Sequence, residues 1–151
     1  MALAPIALFV YNRPAHTRQT VEALRLNPLA ASSELNVFSD GAKTQEAAAS
    51  VREVRAYLKT MDGFAKVTVY ERDRNFGLAA SVIDGVTRVC DTSGMVIVVE
   101  DDLFVAPHFL DYMNAALDRY RDEAEVMQVP GNTPQELATF VNVNAGKQVY
   151  G

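Results

Sequence analysis

Three consecutive carboxylates, Glu100-Asp101-Asp102, follow directly on the apolar run Met95-Val96-Ile97-Val98-Val99. Like charges at the mouth of a buried strand repel one another, and taking them out of water is costly unless a cation or hydrogen bonds compensate. Oxygen donors of this kind suit magnesium or manganese, which keep several waters and take substrate phosphates as further ligands. The plainer reading is a solvated turn, or acids placed ahead of a following helix; a turn, however, has no need of three acids straight after five apolar residues. Alternation along the strand sends Glu100 and Asp102 to one side and Asp101 to the other, unless the strand is already ending there.

Three other segments place polar groups where apolar runs stop: Tyr11-Asn12-Arg13, Asp40-Gly41 and the stretch from Arg72 to Gly77. Asp40 can accept a hydrogen bond from a ribose hydroxyl or a base N–H, although Asp-Gly is also an ordinary turn dipeptide. Asn75 and Gly77 fit a turn or cap equally well; functionally, Gly77 lets a nucleotide come close to the backbone. Arg13, Arg72 and Arg74 are available to phosphates, with Arg13 the favoured one of the three. Tyr11 either stacks on a base or simply ends a strand. His16 and His108 fall within or at the start of helices, where surface and capping roles outweigh metal ligation. Cys90 lies among Val86, Val89 and other apolar residues and reads as a buried small hydrophobe rather than a nucleophile.

The elements that carry these residues alternate strand and helix. Ile6 to Tyr11 is a first strand, and Pro14 suits the first turn of a helix that runs to Leu26 before Asn27-Pro28. Leu35 to Ser39 is a second strand. Thr44 caps a helix whose Val51, Val54, Leu58 and Met61 recur at helical spacing, ended by Asp62-Gly63. Lys66 to Glu71 alternates as a strand with Val67 and Val69 on one face, and a helix carrying Val82, Val86 and Val89 follows. Met95 to Val99 does not alternate, the mark of a strand buried on both faces. Pro107 opens a fourth helix with Leu110, Met113, Leu117 and Tyr120 along its core stripe. Val126 to Val129 and Leu137 to Val143 are two further strands. The sum is an α/β domain with a mostly parallel sheet and flanking helices. Parallel strands direct their carboxyl ends to one edge, where ligands of such sheets bind, so the four polar segments converge there.

The 151 residues suffice for one domain, taken as residues 1–151, and 49% hydrophobic with 22% charged residues describes a globular chain. A net charge of −5 with interspersed signs argues against nucleic-acid binding. One cysteine excludes an intrachain disulfide and suits a reducing compartment. No apolar run has the length of a membrane span, so the expected location is cytoplasmic, with the inner membrane surface open as a workplace.

Taken together, Phe9-Val10-Tyr11-Asn12-Arg13-Pro14, Phe38-Ser39-Asp40-Gly41, Asn75-Phe76-Gly77-Leu78-Ala79 and Val99-Glu100-Asp101-Asp102-Leu103 resemble bacterial glycosyltransferases related to family 2. The acidic motif also resembles that of the N-acetylglucosaminyltransferase I type. Pro107-His108-Phe109-Leu110 and the helix ending at Tyr120 fit as well, and the likeness spans residues 4 to 132. It implies a GT-A fold, a nucleotide diphosphate-sugar donor, and Mn2+ or Mg2+ held chiefly by Asp102. Glu100 would then lie nearer the ribose or sugar, and Asp101 within the nucleotide set. Asp40 and the Tyr11-Asn12 strand end would meet the base or ribose, while Asn75 and Gly77 would line the nucleotide pocket.

These enzymes continue past the metal motif into a half that binds the acceptor and, in inverting members, holds the catalytic base. The tail from Gly131 to Gly151 does not match that half, and Glu136 is the sole acid after Glu125. The expectation is therefore a truncated GT-A domain that binds its donor, transfers sugar poorly by itself to a glycan, lipid or protein acceptor, and self-associates through uncovered apolar surface. The alternative is a non-catalytic nucleotide-binding or assembly module. Dinucleotide-binding domains, P-loop proteins and sugar nucleotidyltransferases want a glycine-rich first turn, which Tyr11-Asn12-Arg13-Pro14 lacks. Receiver domains want acids after the first strand, and none is there.

Overall fold

A computed structural model describes residues 2–122 in full, together with the backbone of 128–130 and 139–142. Four parallel strands form its centre: β1 (Ile6–Val10), β2 (Glu34–Ser39), β3 (Lys66–Glu71) and β4 (Met95–Glu100). With the short β5 (Gln128–Pro130) and β6 (Thr139–Asn142), both set antiparallel to their neighbours, the sheet order is β3-β2-β1-β4-β6-β5. The mostly parallel α/β sheet expected from the sequence is the observed one. The parts of the two last expected strands at residues 126–127, 137–138 and 143 lie outside the described residues, as does Glu136.

The helices are α1 (Pro14–Arg25), α2 (Ala48–Leu58), α3 (Leu78–Ser93) and α4 (Phe109–Tyr120). Pro14 stands at the first turn of α1, where a missing N–H leaves nothing unsatisfied. Thr44 does not cap α2 directly. Its hydroxyl accepts the Ala47 N–H at 3.2 Å and so closes the turn ahead of the helix. Likewise Pro107 precedes α4 rather than opening it, because the Phe109 N–H turns back onto the Ala106 carbonyl at 3.0 Å.

Two clusters cover the two faces of the sheet. On one, Val21 and Leu24 of α1, Val54 and Leu58 of α2 and Leu110, Met113 and Leu117 of α4 pack on Ile6, Leu8, Leu35, Val37, Ile97 and Val99. On the other, Val86, Val89 and Cys90 of α3 pack on Ala7, Phe9, Phe38, Val96 and Val98. β4 is thus buried on both faces, which is why its sequence does not alternate. Each large side chain removed from water in this way stabilises the fold by roughly 1.5–3 kcal/mol. Phe9, Phe38 and Tyr70 stack across three strands, with ring centroids 5.2 and 4.7 Å apart. α3 can lie against this ladder because Gly85 carries no side chain; a Cβ there would sit 2.7 Å from the Phe9 ring.

Because α1 and α2 cross on one face and α3 on the other, the strand order reverses between β1 and β4. A crevice lies over the carboxyl ends of these strands.

Candidate functional site

A cavity of ≈ 330 Å³ opens at that reversal, and its walls include Tyr11, Asn12, Arg13, Asp40, Asn75, Gly77, Glu100, Asp101 and Asp102. These residues from all four strand ends lie in this one cleft, whereas Arg72 and Arg74, also singled out there, do not line it. Phe9 and Val10 form part of its floor, and Lys43, Leu78 and Ser81 line it too.

The β1 wall begins where Val10 gives way to Tyr11. The Tyr11 hydroxyl accepts the Lys43 N–H at 2.9 Å, which fixes the phenol ring against the loop after β2. Arg13 is the N-cap residue of α1 but offers that helix no side-chain cap. Its guanidinium instead donates to Asp101 Oδ1 at 2.9 Å and stands 3.9 Å from Asp102 Oδ2.

The wall at β2 and β3 is knitted by hydrogen bonds. Asp40 is buried, and its carboxylate accepts from the N–H groups of Gly41 at 2.9 Å, Phe76 at 2.8 Å and Gly77 at 3.1 Å, and from the Asn75 amide at 3.2 Å. Gly41 allows the two loops to touch, since a Cβ on it would come within 2.5 Å of the Arg74 carbonyl carbon. Gly77 has φ +80°, a conformation that side chains strongly disfavour. Space around a would-be Cβ at Gly77 is open.

Beneath these loops lie two arginines whose importance the sequence did not signal. Arg55 donates to the Ser39 hydroxyl and to the carbonyl oxygens of Ser39, Asp40 and Arg72, at 3.0, 3.2, 3.3 and 2.8 Å. The Arg72 side chain is only 5% exposed. It bonds the Ser81 hydroxyl and carbonyl and Asp84, and its guanidinium lies 4.3 Å from the Phe76 ring centroid and 5.3 Å from that of Phe38. Arg72 is therefore a pillar of the fold, contrary to the expectation that it is available to phosphates. The Arg74 guanidinium lies 4.7 Å from the Phe76 ring centroid and does not line the cleft. The only hint in the sequence was placement: Arg55 follows Val51 and Val54 along the buried side of α2.

The β4 wall is electrostatically unlike the other. β4 ends at Glu100, and a turn closed by the Leu103 N–H on the Glu100 carbonyl carries Asp101 and Asp102 out of the strand. Alternation therefore fails at this point, and Arg13 reaches both aspartates. The buried Thr20 hydroxyl shares its donation between the carbonyl oxygens of Asp101 and Leu103, each at 2.9 Å, and so holds the turn against α1. A threonine on the inward stripe of α1 was the available signal for this contact.

Burial pushes the Glu100 carboxyl above its ordinary pKa, and the Asp102 and Asp101 charges push the same way, against Arg13. Burial also raises Asp101, although the Arg13 charge and hydrogen bond and the Tyr11 N–H oppose the shift. Asp102 has a side chain 48% exposed to the cleft mouth. Among the described residues no three His, Cys, Asp or Glu side chains converge as a ready-made metal shell. An exposed Asp102 carboxylate beside a half-buried Glu100 nevertheless fits Mg2+ or Mn2+, which fill most positions with water and phosphate oxygens. His16 and His108 are exposed and stand away from the cleft, and His108 faces Asp111 at 3.3 Å. Cys90 is buried, and burial raises its thiol to about 11. Among the described residues no helix is long and apolar enough to cross a membrane.

Comparison with known proteins agrees with this geometry. The family described as Glycosyl transferase family 2 matches residues 6–142. No curated protein matches the sequence significantly. Among solved structures, the mannosyltransferase PcManGT from Pyrobaculum calidifontis, in complex with GDP-Man and Mn2+, superposes with a TM-score of 0.64 at 13% identity, over 93% of this chain and 44% of that one. S. aureus TarS gives 0.57 at 15% identity, over 78% of this chain and 20% of that one. The TarS 1–349 structure in complex with UDP gives 0.55 at 16% identity, over 80% of this chain and 33% of that one. At these identities the likeness is one of fold, and the chain spans less than half the length of each.

Proposed function

The chain belongs to glycosyl transferase family 2, and from that premise we propose that its cleft binds a nucleotide diphosphate-sugar donor, with Mn2+ or Mg2+, for transfer of the sugar to an acceptor hydroxyl. The observation that carries this is the convergence of the strand-end residues from β1 to β4 on one cavity. Tyr11 offers a fixed aromatic face beside the base, Asn12, Asn75 and Gly77 line the pocket, and Arg13 supplies a cation beside the diphosphate. Asp102 is the chief metal ligand, Glu100 lies nearer the ribose or sugar, and Asp101 holds Arg13 in place. A bound divalent ion would neutralise the leaving diphosphate; the protein's own part is to orient the donor and exclude water from its reacting side. The bound GDP-Man, UDP and Mn2+ of the structurally similar enzymes support this reading.

The likeness of the acidic motif to the N-acetylglucosaminyltransferase I type belongs to the same proposal, as does an acceptor that is a glycan, lipid or protein. So does a single donor-binding domain over residues 1–151, which self-associates and works in the cytoplasm or at the inner membrane surface. Weak transfer of sugar by this chain alone is part of the proposal too. The test is thermal stabilisation by a panel of nucleotide-sugars with manganese and with chelator. A donor at about 100 times its Kd adds about 2.7 kcal/mol. Equal stabilisation in chelator would remove the metal from the proposal, and no stabilisation by any donor would remove the donor.

A further inference from the structure

Arg13 stands where its own helix disfavours it. It is the N-cap residue of α1, that helix has no acid in its first turn, and the positive end of a helix dipole repels a cation. What holds the guanidinium there is the acidic turn: Nη2 donates to Asp101 Oδ1 at 2.9 Å and lies 3.9 Å from Asp102 Oδ2. The two carboxylates are unequal partners. The Asp101 side chain is 10% exposed and that of Asp102 48%, so Asp101 tethers Arg13 while Asp102 is shared between the guanidinium and the cleft. The turn itself is fixed, since the Thr20 hydroxyl holds the carbonyl oxygens of Asp101 and Leu103, each at 2.9 Å. A divalent ion on Asp102 would therefore meet a second cation, which can withdraw only by breaking its bond to Asp101.

We propose that Arg13 makes metal binding conditional on the nucleotide: its charge weakens Mn2+ or Mg2+ at Asp102 when the ion binds alone, and the donor's diphosphate removes that conflict. This rests on the proposed donor role of the cleft and deepens it by linking the two ligands. Diphosphate oxygens accept from a guanidinium and also coordinate a hard cation, so the nucleotide gives each positive charge its own partner. Screened by water and salt at a half-exposed site, a like charge at this range changes affinity by about tenfold. The linkage is reciprocal: the ion strengthens nucleotide binding by the factor by which nucleotide strengthens that of the ion.

Electron paramagnetic resonance of free Mn2+ tests this on the wild type and Arg13→Met, with and without UDP or GDP, after correction for the Mn2+ that each nucleotide holds in protein-free controls. Arg13→Met should bind Mn2+ alone about tenfold more tightly than the wild type, and the strengthening of Mn2+ by nucleotide should shrink by a similar factor. Arg13→Lys keeps the charge and should stay within about threefold of the wild type for Mn2+ alone. Adding Asp102→Ala to Arg13→Met should abolish the gain. If Arg13→Met does not fold, Arg13→Gln, equally uncharged, carries the same expectations. Mn2+ bound no more tightly by the uncharged variant than by the wild type would overturn the inference. So would a gain that survives Asp102→Ala, an equal gain in Arg13→Lys, or a wild type that binds Mn2+ equally well with and without nucleotide. A wild type that binds no Mn2+ under any of these conditions removes the metal from the proposed function, and this inference with it. Nucleotide-dependent Mn2+ binding that Arg13→Met leaves unchanged removes the inference alone.

Discussion

The two walls of the cleft solve the problem of a buried carboxylate in opposite ways. At β2 and β3, Asp40 is met by main-chain and amide donors, and Arg72 by Asp84, Ser81 and two aromatic faces. At β4, Glu100, Asp101 and Asp102 share one arginine, and burial and mutual repulsion raise the pKa of the first two. The first wall is complete without a ligand. The second holds negative charge that a cation would relieve, so ligand-dependent change belongs there. A site divided in this way keeps half of its shape ready before a ligand arrives and leaves the other half responsive to it.

The largest expected effect comes from breaking the unsatisfied wall. Asp102→Ala should weaken metal-dependent nucleotide binding by more than about 100-fold, since even groups that merely orient metal ligands are worth roughly 10- to 100-fold. The half-exposed side chain means that the fold should survive, and titration calorimetry beside a melting curve checks both halves of the statement.

Breaking the complete wall should damage stability first. Arg72→Met removes the bonds to Ser81 and the ion pair to Asp84, which keeps only Arg88, and we expect a loss of roughly 2–3 kcal/mol in urea unfolding, less than for a fully buried pair because Asp84 is 35% exposed. The pH dependence has a definite sign. Burial pushes the Asp84 carboxyl up, but hydrogen bonds and charges from Arg72 and Arg88 outweigh it and leave its pKa below the ordinary value. The folded state therefore binds this proton less readily than the unfolded chain, so the contribution is present above the unfolded pKa and is lost as pH falls through the folded one. Asp84→Asn should flatten that part of the acid limb.

Gly77→Ala sharpens the contrast at smaller scale. No atom obstructs the new methyl group, so only backbone strain at φ +80° acts, about 1–3 kcal/mol. Nucleotide affinity should fall with stability, because the strained loop is the one that lines the cleft.

The smallest effect has the opposite sign. Glu100→Gln removes one of three crowded charges, so it should raise the melting temperature in chelator while weakening donor binding. A lower melting temperature would mean that Glu100 is held by favourable contacts and that the two walls are more alike than described.

Much of this architecture was legible from local pattern. Apolar runs of strand length and helical spacing in between are short-range features, and parallel crossovers then bring the strand ends to one edge whatever else the chain does. The convergence of Tyr11, Asp40, Asn75 and Asp102 followed from that rule. The helices start at Ala48 and Phe109, later than the sequence implies, because a turn closed by one hydrogen bond shifts each start without altering the apolar spacing. What holds Asp40, Arg72 and Arg55 in place was not legible, because it depends on which groups lie within 3 Å or so once distant segments pack. The Phe76 bond to Asp40 spans 36 positions and the Thr20 bond to the acidic turn 81. A carboxylate or guanidinium has the same chemistry in either role; only burial and the donors and acceptors around it decide whether it faces a ligand or holds the wall that does.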